Sequence, residues 1–199
     1  MDPTSKNATS TASSPCAAPA GYGPHAEAHP AVRDFCERVA GILEADPDTH
    51  PADAVAEAMG PMLAVDDLLA PAHRETRDDW YRKHILYACP EGRFTLLALV
   101  WKPGQGTTIH GHTAWGAVGV YEGTPNVAVY DCVEEKDGTH AVTETKDIRC
   151  KRGDLATVRP GLCDVHRIYN DSDELMITLH AYGLDLVADP DAINLNLNL

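Results

Sequence analysis

The spacing of apolar residues along the chain changes once, near Trp80. Before that point Val32, Phe35, Val39, Ile42 and Leu43 recur at steps of three and four, the repeat that lines one face of an α-helix. A second short helix fits Pro51–Met59, with Ala54, Val55, Ala58 and Met59 turned inward and Pro51 suited to a first turn. The stretch "MLAVDDLLAPAH" predicts a third helical piece ending near Pro71. Residues 27–78 are therefore expected to form a supporting helical segment. The preceding 1–26 are rich in Ser, Thr, Ala, Pro and Gly and poor in large apolar groups. They bury too little surface to offset the entropy of ordering, which predicts a disordered tail.

After Trp80 the apolar pattern shortens into "WYRKHILYA", "FTLLALVWK", "AWGAVGVYEG", "NVAVYDCVEE", "HAVTETKDI", "DLATVRP", "VHRIYN" and "ELMITLHAYG". These runs are rich in Val, Ile, Thr and Tyr and are separated by turn signals such as "PEGR", "EEKDG" and "KRGD". Many short strands at regular spacing predict an all-β core, a sandwich or barrel over 79–187, rather than alternating strands and helices. The final "INLNLNL" alternates strictly. Within a C-terminal extension over 188–199 it fits either an edge strand or a frayed terminus.

Charge narrows the partners. A formal net charge of −14 over 199 residues repels phosphate surfaces and argues against nucleic acid or an anionic membrane as ligand. No run of 18 apolar residues is present to span a bilayer, and the N-terminus lacks a basic stretch followed by an apolar one. A cytoplasmic protein acting on small molecules, as a monomer or homo-oligomer, is the expectation. The six cysteines, at 16, 36, 89, 132, 150 and 163, show no paired spacing, so reduced thiols are expected.

Chemistry concentrates in "TTIHGHTAWGAVGVYEG". Histidines at i and i+2 of a strand share one face, so His110 and His112 can converge on one ion. The pair alone is a weak signal and reads first as a surface or hydrogen-bonded pair. The surrounding residues add weight: Gly104, His110, His112 and Gly123 follow the first cupin motif in their glycines and histidines, and "GDLATVRPGLCDVHRIYN" resembles the second, with Gly153, Pro160, Gly161, His166 and Asn170. The resemblance implies a cupin double-stranded β-helix, or jelly-roll barrel, with His110, His112 and His166 inside it. Where the usual cupin carries a metal-binding Glu, this chain has Trp115, Gly116 and Ala117, leaving three neutral imidazoles.

That pattern, with "YRKHILYACPEGRFTLLALVWKPGQGTTIHGHTAWGAVGVYEG" and "ITLHAYG", resembles the cysteine dioxygenase family of thiol dioxygenases over about residues 79–186, particularly its bacterial members. The resemblance implies a non-haem ferrous ion on the three histidines, with nickel or manganese as lesser alternatives, and a Ser-His-Tyr triad beside it. Thr178, His180 and Tyr182 match that triad with Thr in the serine place, and strand alternation independently puts all three on one face. Trp115 is expected as pocket wall.

The chain departs from the family at three places. Gly111 stands where Asp is common, Gly116 stands where animal members carry a Cys joined to the triad Tyr, and Lys83 stands where an Arg or Gln lies beside the substrate. Alternation lets only one of Arg82 and Lys83 face the metal, and the family position selects Lys83. The expected activity is oxidation of a small carboxylated thiol, cysteine or a mercapto acid, by O2 to its sulfinic acid. A tailoring oxygenase yielding another oxidised product and a non-catalytic metal-binding cupin sensor remain open.

Overall fold

A computed structural model describes residues 28–45 and 50–199. The expected N-terminal tail, with Cys16 and His25, lies outside the described residues. Helix α1 (Pro30–Ala45) buries Val32, Phe35, Cys36, Val39 and Ala40 along one stripe. Helix α2 (Ala52–Leu63) buries Ala52, Val55, Ala56, Met59, Met62 and Leu63. It is rotated from the expected face, for Ala54 is exposed. The predicted third helix does not form as a separate element. Met62 and Leu63 complete α2, and a single 3-10 turn spans Pro71–Arg74. The end of α2 is held from the barrel instead: Arg152 Nε donates to the Leu63 carbonyl at 3.2 Å, and the Tyr121 hydroxyl donates to the Asp66 carbonyl at 2.7 Å. These bonds occupy carbonyls that a continuing helix would have used.

The core is ten strands: β1 (Arg82–Ala88), β2 (Thr95–Trp101), β3 (His110–His112), β4 (Gly116–Glu122), β5 (Asn126–Glu134), β6 (His140–Arg149), β7 (Leu155–Val158), β8 (Gly161–Tyr169), β9 (Met176–Tyr182) and β10 (Asn194–Asn196). They pair as two antiparallel five-stranded sheets, in the orders β1-β2-β9-β4-β7 and β10-β3-β8-β5-β6. This is the double-stranded β-helix expected from the sequence, preceded by the helical segment. The alternating C-terminus is an edge strand: β10 pairs with β3, placing Asn194 opposite His112 and Asn196 opposite His110. The second sheet thus extends past residue 187. Among the described residues, no helix is long and apolar enough to cross a membrane.

The central strands of the first sheet, β2, β9 and β4, are buried on both faces, and β2 shows why. Leu96, Ala98 and Val100 join the core beneath the helices, whereas Leu97, Leu99 and Trp101 point into the barrel. Burying one such large side chain contributes about 1.5–3 kcal/mol, so the helices are the cover that a two-faced apolar sheet requires. Strand β9 obeys the same alternation. Ile177, Leu179 and Ala181 meet the helices, which leaves Met176, Thr178, His180 and Tyr182 for the interior.

Candidate metal centre

The second sheet supplies three histidines. His110 on β3 lies opposite His166 on β8, and His112 follows two residues later on the same face. Their ring centroids are 4.9–5.0 Å apart, and one nitrogen of each lies within 4.8 Å of the others, all three residues being buried. The β3–β8 register shifts between His110 and His112, and Gly111 occupies the irregularity. A Cβ there would stand 2.6 Å from the Gly161 carbonyl oxygen, a steric reason for glycine at this position.

Two of the rings have fixed tautomers. His110 Nδ1 lies 3.0 Å from the Thr108 carbonyl and His166 Nδ1 lies 3.1 Å from the Asp164 carbonyl. A carbonyl only accepts, so each Nδ1 carries the proton and each Nε2 presents a bare lone pair. Both ring nitrogens of His112 are buried without a hydrogen-bond partner. Burial pushes His112 down to about 2, aided by the neighbouring His166 and His110. It likewise lowers His166 to about 4 and lowers His110. Three neutral imidazoles with convergent lone pairs, one of them otherwise unsatisfied in a dry interior, fit a divalent transition-metal ion. Among the described residues, this is the group of His, Cys, Asp or Glu side chains that could hold one.

The facing sheet supplies the triad. Thr178 Oγ1 is 2.8 Å from His180 Nε2, and His180 Nδ1 is 2.8 Å from the Tyr182 hydroxyl. The Tyr182 ring is 6.3 Å from that of His112, nearly parallel to it. Burial lowers His180 to about 3 and raises Tyr182, so both are neutral at physiological pH. Gly116 makes room for the tyrosine: a Cβ there would fall 2.6 Å from Tyr182 Cδ1 and Cε1.

A narrow cleft of about 20 Å³ is lined by Tyr81, Lys83, His110, His166, His180 and Tyr182 among others. A polar vestibule of about 890 Å³ shares Tyr81, Lys83, Thr107, His110 and Asn194 with it and adds Arg82 and Asp191. Strand register separates the two candidate cations. Lys83 pairs with Leu99, which points into the barrel, and Arg82 pairs with Val100, which points to the helices. Lys83 lines both spaces. Its ammonium donates to the Pro190 carbonyl at 3.0 Å and to Asp191 Oδ1 at 3.1 Å. Arg82 reaches the vestibule alone and lies 3.8 Å from Glu75.

Trp115 was expected as pocket wall. It packs against the core beneath the helices and lines neither cavity. The parity of β4 explains this: position 115 shares the face of Ala117 and Tyr121, which are in that same core, while Gly116 faces Tyr182. The residues that sequence reasoning passed over are Tyr81, Trp101, Asp191 and Asn194. Trp101 left a signal, since a buried indole N–H needs an acceptor. The other three were legible only through long-range pairing.

A family model described as cysteine dioxygenase type I matches residues 76–186. Similar solved structures include an uncharacterized conserved protein with a double-stranded beta-helix domain from Klebsiella pneumoniae subsp. pneumoniae. It is 15% identical over 61% of this chain and 92% of that one, with a TM-score of 0.46. The TT1209 protein of Thermus thermophilus is 17% identical over 60% of this chain and 96% of that one, with a TM-score of 0.45. A sugar phosphate isomerase from a cupin superfamily, from Silicibacter pomeroyi, is 19% identical over 46% of this chain, with a TM-score of 0.36. The match spans 50% of the length of that isomerase.

Proposed function

The chain belongs to the cysteine dioxygenase type I family, an oxidoreductase family, and from that premise we propose that it oxidises a small carboxylated thiol with dioxygen to the sulfinic acid, at a ferrous ion on His110, His112 and His166. The observation that carries this reading is the orphaned, buried His112 ring, grouped with His110 and His166 and 6.3 Å from the ring of Tyr182. The stoichiometry closes without an external reductant: one thiol and one O2 give one sulfinic acid, with both oxygen atoms on sulfur. A ferrous ion held by these three histidines would supply the redox capacity to couple thiol and dioxygen.

The residues of the chain do the rest. His110, His112 and His166, being neutral, would leave a bound ion its full charge and so would favour the thiol in its deprotonated form. Lys83, at the junction of cleft and vestibule, holds the carboxylate end. For that its ammonium exchanges Asp191, a solvent-exposed partner, for the carboxylate of the substrate. Lysine is a compact point charge without the two-pronged fork of arginine, so it accepts more variation in where that carboxylate sits. Tyr182, oriented through His180 and Thr178, presents its hydroxyl to the reacting groups. Leu97, Leu99 and Ile168 line the cleft and exclude water.

The test is anaerobic iron loading followed by oxygen-electrode assays with cysteine, 3-mercaptopropionate, mercaptosuccinate and cysteamine. Oxygen uptake with a carboxylated thiol, with mass spectrometry showing both labelled oxygen atoms in the product, is expected. No uptake with any thiol by iron-loaded protein would sink the reading. Parallel loading with nickel and manganese identifies the metal that supports turnover.

A further inference from the structure

Trp101 makes a contact that the proposed chemistry has not used. It is fully buried at the end of β2, diagonal to Thr178 in the β2–β9 register, where Leu99 pairs with Thr178 and Trp101 with Met176. Its Nε1 donates to Thr178 Oγ1 at 3.0 Å. An indole N–H donates and never accepts, so this bond takes an acceptor position on the threonine oxygen and leaves its single proton for another group. Among the described residues, the other side-chain group hydrogen-bonded to that oxygen is His180 Nε2, 2.8 Å away.

We propose that Trp101 is a positioning residue that sets the direction of the whole relay, fixing His180 with its proton on Nδ1. The Thr178 hydroxyl then donates to a bare Nε2. The Nδ1 proton is in turn donated to the Tyr182 oxygen across 2.8 Å, so the phenolic proton is not used within the relay and points to whatever lies in the cleft. The reverse direction would place a proton on Nε2 facing Thr178. The threonine oxygen would then accept twice, and its own hydroxyl would be left unpaired in a dry interior, at a cost that such interiors seldom carry. In that arrangement the tyrosine proton would be spent on His180 and the cleft would face a lone pair. A donor-only residue at the buried end of a chain of ambivalent groups thus decides what its far end offers.

The catalytic meaning of this direction rests on the thiol dioxygenase reading; the tautomer itself does not. Nitrogen-15 NMR of histidine-labelled, metal-free protein reads it without any turnover. Wild type is expected to show His180 protonated at Nδ1 with a pyridine-type Nε2. Trp101→Phe keeps most of the ring volume but removes the donor, and it should give a mixture of both tautomers. Thr178→Val, which removes the hydroxyl with little change of shape, should do the same, whereas Thr178→Ser should retain the Nδ1–H form. In iron-loaded enzyme Trp101→Phe should lower kcat about five- to tenfold, the scale of one lost hydrogen bond, with KM for the thiol unchanged. His180 protonated at Nε2 in wild type overturns the proposal even if Trp101→Phe fails to fold, and so does an unshifted tautomer in a folded Trp101→Phe. Absence of oxygen uptake by wild type would instead strike the function and leave the tautomer result standing.

Discussion

The two walls of the barrel interior treat their buried polar groups in opposite ways. On β9 the Thr178, His180 and Tyr182 side chains hydrogen-bond one another, with Trp101 closing the far end. On β3 and β8 two histidines are anchored through Nδ1 to carbonyls, and the third has no partner at all. The first wall is complete as folded, which suits an orienting role. The second is satisfied only when something joins its three lone pairs, because an unpartnered buried polar group costs about 1–3 kcal/mol.

The largest expected effect breaks the incomplete wall. His166→Ala removes one of three ligands and should abolish tight metal binding, measured as metal per chain by elemental analysis, together with essentially all thiol-dependent oxygen uptake. Undiminished metal content would remove His166 from the set. In the metal-free state His112→Leu should cost little stability or even add some, since it deletes unsatisfied nitrogens. If instead it lowers the melting temperature of metal-free protein as strongly as that of loaded protein, His112 has a partner of another kind.

The complete wall predicts a different failure. Tyr182→Phe should retain the full metal content and lose on the order of a hundredfold in kcat, the scale for removing one preorganised donor from a reacting group. Equal kcat would take the triad out of the mechanism. At the mouth, Lys83→Met should lower kcat/KM for carboxylated thiols about ten- to a hundredfold, as expected for a charge-assisted hydrogen bond in a partly desolvated site. Cysteamine, which has no carboxylate, should be nearly indifferent to that change, and Arg82→Met should leave both alone. A loss confined to the Arg82 variant would reverse the assignment that strand register supports.

Acid sharpens the comparison with the smallest effect. Folding holds His112 near 2 and His166 near 4, whereas an unfolded histidine takes its proton near 6.5. As pH falls through that value the unfolded chain binds protons that the folded one refuses. Stability of the metal-free protein is therefore undiminished above about pH 6.5 and declines below it, by up to about 1.4 kcal/mol per pH unit for each such group. Bound metal steepens the decline, because protons compete with it for the same lone pairs. Denaturant melts of metal-free protein between pH 7 and 5 check this; a flat profile would mean that the rings are not buried neutral.

Much of this was legible without coordinates wherever the information is local. The alternation of a strand is a property of its backbone, so His110 with His112, and Thr178 with His180 and Tyr182, could be assigned to common faces from spacing alone. The shift from helical to strand periodicity near Trp80 is visible for the same reason, and with the family motifs it brought His166 into the same site. Parity without an anchor is less secure. Trp115 was expected in the pocket, but which side of β4 meets the helices is settled by packing of Ala117 and Tyr121 into the core shared with α2. The choice of Lys83 over Arg82, made from a family position, acquires a physical basis only in the pairing of β1 with β2.

The amino-acid order by itself determined the strand faces and the helical prelude, because each depends on residues a few positions apart. Only the tertiary structure decided that Asp191 and Asn194 reach the mouth through β10, that a register shift at Gly111 lets the histidines converge, and that the Trp101 indole ends the relay. Those outcomes depend on strand pairing between residues tens of positions apart, and the energy that selects one register comes from burying whole faces, which no short window of sequence contains.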